Sequence, residues 1–297
     1  MKAVEISVII PTVDYSGRKA RIDAIVATLL SQRVMESPME VIVVDNNPTS
    51  KDYRAGVENF TKIIRESVLG LNHARNTGIK AATGNIIAFL DDDVVPSKTW
   101  VASLIRAHKL PGILCVGGPV VIEDWHKVVV PEWFSDYFLR FIVPPKFPRL
   151  AGKIEKPYYL IGANMSFKKS VFNDCGFFDI NLDRRGDCLL SGGDVEFMMR
   201  LKPEHIFYEP LAAVSTKITQ QRLTRWYFIR RLFWQAVSDA RIIKKHGLER
   251  FYDQSELFIS AGFINLLFKT LKKKSFFRTF CMIIRIMVFK IALTFNL

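Results

Sequence analysis

The chain has 297 residues, 49% hydrophobic and 24% charged, a composition that excludes an intrinsically disordered protein. Its four cysteines form no CxxC pair, which argues against a zinc site and favours reduced thiols in a cytosolic protein. The net charge of +13 is uneven, because residues 201–297 contain 17 Lys/Arg against 6 Asp/Glu. No signal peptide and no window of about 20 uncharged residues is found, so we expect no transmembrane helix.

The first 110 residues alternate short apolar runs with amphipathic segments. They predict four buried strands, at 6–12, 40–46, 62–67 and 86–90. They also predict helices around 22–30, 72–82 and 98–109. Strands that are apolar on both faces and alternate with helices indicate an α/β fold, with a mostly parallel, Rossmann-like sheet covered on both faces.

The second half of the chain is less regular. Residues 113–122 and 205–215 each read as one strand, and 160–167 is strand-like. Between them, 123–158 is rich in aromatic residues and proline and predicts a long functional loop. A glycine turn at 191–193 leads into a helix, and 224–245 predicts a long basic helix.

Aspartates follow the predicted strands at their carboxyl ends. Asp14 and Asp45 come after the first and second strands, and Asp91, Asp92 and Asp93 follow the fourth. Ligands of open α/β sheets bind at this edge. Mg²⁺ and Mn²⁺ prefer oxygen ligands, and a cation among these carboxylates would remove their mutual repulsion. A solvated acidic turn, with Asp93 capping the next helix, is the other interpretation.

Several motifs in one order extend this pattern: "SVIIPT", "VIVVDNN", "GLNHARNTGIKAATGNIIAFLDDD", "LIGANMSF" and "LLSGGDVEF". Together they resemble the family-2 glycosyltransferases of the GT-A fold, over about residues 5–245. The resemblance implies transfer of a sugar from a nucleotide-sugar to an acceptor hydroxyl, with inversion at the anomeric carbon. It also implies Mn²⁺ or Mg²⁺ as cofactor, and we favour a UDP-sugar as donor.

The resemblance assigns roles by position. Residues expected to bind the nucleotide-sugar are Pro11, Thr12, Asp14, Asp45, Arg75, Asp91 and Asp92. Asp93 would be the principal metal ligand. Asp194 would be the catalytic base, although it could instead cap its helix, and Glu196 is the second candidate for the base. Relatives usually carry an acidic pair here, whereas this chain has Gly193–Asp194.

A second departure is the lack of a histidine after the strand at 205–215. Ser215, Thr216 or Lys217 occupies that neighbourhood, and a lysine could neutralise diphosphate charge there. The next segment, "RLTRW", resembles the (Q/R)xxRW signature of processive synthases. Residues expected to contact the diphosphate or the acceptor are Lys217, Arg222, Arg225 and Trp226. Packing of Trp226 in a basic helix start is the alternative.

The acceptor is expected to be a glycan or lipid-linked glycan of cell-surface polysaccharide synthesis, contacted by Trp133 and Asn164. We divide the chain into a catalytic domain, 1–250, with a nucleotide-sugar half (1–122) and an acceptor half (123–250), and a tail, 251–297. The tail is basic and rich in phenylalanine. It suits a helix lying on the cytoplasmic face of a membrane, and an ordinary packed helix is the alternative.

Two other functions compete with sugar transfer. Nucleotidyl transfer to a sugar phosphate would require a glycine-rich, lysine-containing loop after the first strand, and "PTVDYSGRKAR" supplies a weak version. A catalytically degenerate, membrane-bound relative would explain the missing histidine and the lost acid. No base-reading motif supports nucleic acid as a partner.

Overall fold

The computed structural model describes residues 3–32, 38–49, 57–58, 61–139, 141–142, 150–154, 160–247 and 276–295. Its helices are α1 (Tyr15–Ser31), α2 (Leu71–Ala81), α3 (Trp100–His108), α4 (Asp136–Leu139), α5 (Ser170–Asp174), α6 (Gly193–Met198), α7 (Arg225–His246) and α8 (Phe276–Thr294). Short 3-10 helices lie at Trp125–Lys127, Ile180–Leu182, Pro203–His205 and Gln220–Leu223. The strands are β1 (Ile6–Thr12), β2 (Met39–Asp45), β3 (Val57–Glu58), β4 (Thr61–Arg65), β5 (Ile86–Leu90), β6 (Val94–Pro96), β7 (Cys115–Gly117), β8 (Val120–Ile122), β9 (Gly152–Lys153), β10 (Asn164–Lys168), β11 (Ile206–Tyr208) and β12 (Val214–Thr216).

A nine-stranded sheet forms the centre of the molecule, in the order β3-β4-β2-β1-β5-β10-β7-β11-β9. β4, β2, β1 and β5 are parallel, as predicted, and β10 is antiparallel to both of its neighbours, β5 and β7. The α/β class with a mostly parallel sheet is therefore confirmed. Because β10 lies between two strands of the first 122 residues, both halves of the chain share one sheet.

Both faces of the sheet are covered, which explains why its central strands are buried and largely apolar. All residues of β1, β2 and β5 are buried. Side chains alternate along β1. Ile6, Val8 and Ile10 pack with α1 and α3, whereas Ile9 packs on the other face with α2 and a group of phenylalanines.

Two predicted single strands are each split in the structure, which corrects the sequence interpretation. Residues 113–122 form β7 and β8, and residues 205–215 form β11 and β12. The chain changes sheet at Gly118, where an added Cβ would lie 2.1 Å from the carbonyl oxygen of Ala212. β8 and β12 join β6 in a second, three-stranded sheet. This sheet brings the end of β12 beside Asp93.

The aromatic segment at 123–158 is not a plain loop, because it contains a 3-10 helix, α4 and β9. Parts of it (140, 143–149 and 155–159) lie outside the described residues. Trp133 packs edge-on against Phe138, Phe228 and Phe277, at centroid distances of 5.0–5.9 Å. The aromatic residues therefore join the segment to α7 and α8.

The C-terminal helix α8 packs along α7, which is the alternative that the sequence left open. Cys281, Phe289 and Ala292 are buried in this contact. Arg285 donates to the buried carboxylate of Asp239 at 2.9 Å, and Arg278 lies over the ring of Tyr137. These two arginines thus face the catalytic domain and not a headgroup layer. The lysines at 272–274 lie outside the described residues.

The exposed face of α8 is largely apolar, although Lys290 and Thr294 are also exposed on this helix. The exposed large hydrophobic residues in this region are Phe276, Phe280, Met287, Ile291 and Phe295. We call these five residues the outer stripe. Among the described helices, none is long and apolar enough to cross a membrane.

Candidate active site

The three adjacent aspartates point in different directions, and each meets its own arginine. The carboxylate of Asp91 is 3.6 Å from Arg75, and that of Asp93 is 3.7 Å from Arg222. Asp92 is 2.6 Å from Arg18. Separate guanidinium partners relieve the repulsion among three like charges.

Asp91 and Asp93 line a pocket of about 560 Å³, and Asp92 does not. Asp92 is 6% exposed and is held beside α1 by Arg18, so its predicted contact with the nucleotide-sugar is not supported. Burial in the pocket raises the pKa of Asp91 to about 6. Arg75 opposes this rise, and the negative charges of Asp93 and Asp92 add to it.

Asp194 reaches the same pocket from α6. Gly192, at φ 87°, makes the turn before the helix. One carboxylate oxygen of Asp194 accepts from the backbone N–H of Gly162 at 2.8 Å, and the other from that of Val195 at 2.9 Å. Two fixed donors orient the carboxylate, and each oxygen keeps a lone pair for a further proton.

Gly162 lies between the side chains of Arg75 and Asp194 in the pocket. An added Cβ would lie 2.7 Å from a guanidinium nitrogen of Arg75 and 2.8 Å from the carboxylate of Asp194. The carbonyl oxygen of Gly162 also accepts from Arg75, at 3.2 Å. Only a glycine leaves room for both side chains.

Glu196, the second candidate for the base, is fully buried and does not line the pocket. It pairs with Arg200, with Lys245 at 3.0 Å and with His246 at 2.7 Å. Burial alone would raise its pKa, but the hydrogen bonds from Arg200, His246 and Lys245 lower it. Because its carboxylate is occupied by these three partners, Glu196 has a structural role and anchors α6 to α7.

Four of the residues predicted for the nucleotide lie at or just after the carboxyl ends of β1 and β2, outside the lining of the pocket: Pro11, Thr12, Asp14 and Asp45. Pro11 and Thr12 are buried within β1, and Asp14 caps α1 by accepting from Gly17 N–H at 2.9 Å. Asp45 is 1% exposed. One of its carboxylate oxygens accepts from Asn47, and the other has no hydrogen-bond partner among the described residues. This second oxygen is a buried acceptor without a partner among the described residues.

The two predicted acceptor contacts are corrected by the structure. Asn164 is fully buried, and its amide accepts from the indole of Trp100 and donates to the carbonyls of Pro119 and Ala212. Its side chain is therefore occupied in the core. Trp133 belongs to the aromatic cluster with α7 and α8 and does not line the pocket.

Of the basic segment after β12, only Arg222 lines the pocket. Lys217 lies 3.9 Å from Glu123, on the surface, and Arg225 covers the rings of Trp133 and Phe277. Trp226 is 67% exposed, so neither a pocket contact nor packing in the core describes it. Thr216 occupies the place near Asp93 where a histidine was expected, and its hydroxyl donates to the Asp93 carbonyl.

The structure also assigns residues to the pocket that the sequence did not indicate. They are Asn72, Phe141, Ile142, Arg184, Arg231 and Gln235. Next to them, buried Asp183 accepts from the N–H groups of Asn72 and His73 and so caps α2 from a distant part of the chain. Gly70, which precedes α2, has no side chain to do this. In the sequence, the only sign of this cap is the acidic residue Asp183 in "NLDRRGD", shortly before the glycine turn.

A divalent cation fits this pocket only together with a substrate. The described residues contain no group of three or more His, Cys, Asp or Glu side chains that could hold a metal alone. Asp91 and Asp93 nevertheless both face the pocket. Mg²⁺ typically takes one or two carboxylates plus substrate phosphates, and the pair satisfies that requirement.

Comparison with curated proteins gives several relatives. A Haloferax volcanii protein, glucosyl-dolichyl phosphate glucuronosyltransferase, is 28% identical over 210 residues, covering 68% of this chain and 66% of that protein. Glycosyltransferase AglE, of the same organism, is 27% identical over 201 residues, or 66% and 60% of the two chains. Succinoglycan biosynthesis protein ExoM of Rhizobium meliloti is 26% identical over 254 residues, or 80% and 77%. The chain thus spans slightly less than two thirds of the first two relatives.

Among solved structures, the mannosyltransferase PcManGT from Pyrobaculum calidifontis, in complex with GDP-Man and Mn²⁺, superposes with a TM-score of 0.56. It is 16% identical, and the match covers 100% of this chain and 88% of that one. At this identity the likeness shows the GT-A fold. The sequence model described as "Glycosyl transferase family 2" matches residues 7–176, more than half of the chain. The protein therefore belongs to glycosyl transferase family 2.

Proposed function

We propose that this glycosyltransferase moves a sugar from a nucleoside diphosphate sugar to an acceptor hydroxyl with inversion. The supporting observation is that Asp194, Asp93 and Arg222 face one pocket. The acceptor oxygen bonds to the anomeric carbon while its proton passes to Asp194. The bond between that carbon and the diphosphate breaks on the opposite side, and the nucleoside diphosphate leaves.

Asp194 is suited to the role of base by its fixed orientation. A general base must lie within about 3 Å of the proton that it takes. The N–H groups of Gly162 and Val195 hold the carboxylate towards the pocket without adding a positive charge beside it. The single acid of Gly193–Asp194 therefore suffices for one proton transfer.

The diphosphate would lie between Asp93 and the arginines that line the same pocket. When bound, a divalent cation, Mn²⁺ or Mg²⁺, would neutralise the negative charge that develops on the leaving diphosphate. Asp93 would hold the cation, and Asp91 lines the same pocket. Arg222, 3.7 Å from Asp93, brings a fixed positive charge to this place. This charge would act on the diphosphate directly, and it would not replace a histidine as a metal ligand.

The nucleoside would extend from the diphosphate towards the ends of β1 and β2. The unused carboxylate oxygen of Asp45 would accept from the base or ribose, and Pro11, Thr12 and Asp14 would border it. Arg75, buried at 4% exposure, would approach the diphosphate. We retain a uridine diphosphate sugar as the donor. Guanosine is the alternative, because the superposed mannosyltransferase is in complex with GDP-Man.

The acceptor that we propose is a lipid-linked glycan. The names of relatives refer to dolichyl phosphate and to succinoglycan synthesis. The outer stripe of α8 offers apolar side chains, and residues 201–297 carry a net charge of +11. This combination fits an anionic membrane surface, and we place the protein peripherally on its cytoplasmic face. The division into 1–122, 123–250 and a 251–297 tail remains part of this proposal.

Substitution Asp194→Asn tests the catalytic proposal. Asparagine keeps the shape and can still accept from Gly162, but it cannot take a proton, so we expect a loss of turnover of at least about a hundredfold. Release of nucleoside diphosphate from UDP- and GDP-sugars, with and without Mn²⁺, is the measurement. The control is Asp187→Asn, at a fully exposed carboxylate. Unchanged turnover in Asp194→Asn would exclude this residue as the base.

Flotation with vesicles tests the membrane proposal. A triple variant, Phe280→Ser, Met287→Ser and Ile291→Ser, removes apolar side chains from the outer stripe and leaves the buried face of α8 intact. We expect it to lose binding to vesicles of phosphatidylcholine and phosphatidylglycerol. The exposed apolar residues Val129 and Leu150, changed to Ser, serve as the control. Equal flotation of both variants would contradict the proposal.

A further inference from the structure

The pocket contains more positive charge than its aspartates neutralise. Four arginines line it, Arg75, Arg184, Arg222 and Arg231. Arg75 and Arg222 lie beside Asp91 and Asp93. Within the described part of the chain, neither Arg184 nor Arg231 has a carboxylate within 4.0 Å. Two guanidinium groups are therefore available to an anion.

The direct contacts of Arg231 are with neutral groups, and the charge of Asp239 acts on it from beyond 4.0 Å. Its guanidinium donates to the hydroxyl of Ser191 at 3.0 Å and lies 5.9 Å from the centroid of the Phe141 ring. Burial, and then the like charge of Arg184, lower the pKa of Arg231 to about 10. Arg231 is thus still charged at neutral pH. The cost of bringing two cations together in a half-buried cleft would be offset by a bound anion.

The position of this pair favours the acceptor over the nucleotide. Ser191, which Arg231 contacts, directly precedes the Gly192–Asp194 turn that carries the base. Arg231 lies over the apolar ring of Phe141, and Ile142 and Leu190 also line the pocket. The nucleotide residues Asp14 and Asp45 lie outside this lining. An anion attached to an apolar chain would match the two arginines and the apolar side chains of the pocket.

We propose that Arg184 and Arg231 form a subsite for the phosphate of a lipid phosphate, so that the acceptor carries its phosphate next to an apolar chain. Arginine binds phosphate oxygens in a bidentate way, and two guanidinium groups without an ion-pair partner can bind one phosphate together. The inference rests on the proposed sugar transfer, because it identifies the acceptor end of the same pocket.

The test uses the full chain and a matched pair of probes, farnesyl phosphate and farnesol, titrated by calorimetry. We expect farnesyl phosphate to bind and farnesol to bind at least about tenfold more weakly, since charge-assisted hydrogen bonds to phosphate are among the strong ones. Arg184→Gln and Arg231→Gln should each weaken the binding of farnesyl phosphate about tenfold or more and leave farnesol unchanged. Arg230→Gln, next to Arg231 on α7 but paired with Asp187, is the control.

Binding of UDP and GDP with Mn²⁺ is measured in the same variants. Retained nucleotide binding shows that the variants are folded and that the donor site works, so a failure of the subsite can be told from a failure of the proposed transfer. No binding of farnesyl phosphate by the unaltered protein overturns the subsite, as does equal binding in Arg231→Gln. A different outcome is that the arginine variants weaken the binding of UDP-glucuronate and leave the binding of UDP-glucose unchanged. In that case the two arginines bind an anionic group of the donor sugar, and the proposal is wrong.

Discussion

At the scale of single residues, the site depends on where neighbouring side chains are directed. Asp91, Asp92 and Asp93 are adjacent in the chain, yet Asp92 leaves the pocket to meet Arg18 and the other two remain. The spacing of the motif indicates that carboxylates gather at this strand end. It does not indicate which of them faces the ligand, because that depends on arginines supplied by distant elements.

Gly162 allows a sharp prediction at this scale. Gly162→Ala would place a methyl group within 2.8 Å of Asp194 and Arg75, so both side chains must move. We expect turnover to fall roughly ten- to a hundredfold with the fold retained, because small displacements of a base are costly. Steady-state kinetics and circular dichroism check this. Gly152→Ala is the matched control, since no atom lies within 4 Å of its added Cβ. Equal activity of the two variants would contradict the role of Gly162.

At the scale of elements, the first half of the fold could be predicted because local and tertiary signals agree there. The predicted strand at 6–12 coincides with β1, and the predicted helix at 72–82 differs from α2 by one residue at each end. The predictions at 113–122 and 205–215 were wrong in extent. Each apolar run crosses from one sheet to the other, and hydrophobicity alone does not show such a crossing.

The pairing of α8 with α7 is also an element-scale feature that the sequence left undecided. Arg285 and Asp239 meet at 2.9 Å with 11% and 3% of their side chains exposed. Asp239 also accepts from the side-chain amide of Gln235. The side-chain oxygen of Gln235 in turn accepts from the hydroxyl of Ser191. The tail is thereby connected by hydrogen bonds to the turn that carries Asp194.

Arg285→Met should therefore destabilise the protein strongly. It leaves the charge of Asp239 buried and unpaired, and breaking a buried pair in this way costs about 3–5 kcal/mol. Urea unfolding measures the change in the free energy of unfolding. Adding Asp239→Asn to the same chain should recover part of the loss, which a double-mutant cycle would detect. Lys290→Met, at an exposed position of α8, should have little effect. Equal losses from Arg285→Met and Lys290→Met would show that the pair does not anchor α8.

At the scale of the whole molecule, the pocket exists because distant segments meet over one sheet. Arg75 comes from α2, Asp194 from α6, and Arg231 and Gln235 from α7. The motifs predict the residues proposed to bind the nucleotide-sugar, because most of these residues directly follow consecutive strands in the sequence. The acceptor side could not be predicted, because Arg184 and Arg231 are far apart in the sequence and the resemblance assigns neither of them a role. Asn164 was misassigned for a related reason, since its motif also builds the core.

The same sheet gives the molecule an acid-sensitive centre at Glu40 in β2. Its buried carboxylate accepts from Ser7 of β1 and from Lys62 of β4, and it also accepts from Thr83, which precedes β5. Burial alone would raise the pKa of Glu40, but the hydrogen bonds from Lys62, Ser7 and Thr83 outweigh it and lower the pKa from 4.5 to about 2. Because the folded-state value is depressed, this stabilisation is fully present above about pH 4.5. It is lost as the pH falls towards about 2.

Glu40→Gln removes the charge and keeps the size of the side chain. We expect the free energy of unfolding to fall by about 2–3 kcal/mol near pH 7, and by much less near pH 3, where the glutamate has already lost part of its advantage. Urea unfolding at both pH values gives the comparison, with Glu204→Gln on the exposed surface as the control. A loss of the same size at both pH values would mean that packing, and not the charge of Glu40, holds β1, β2 and β4 together.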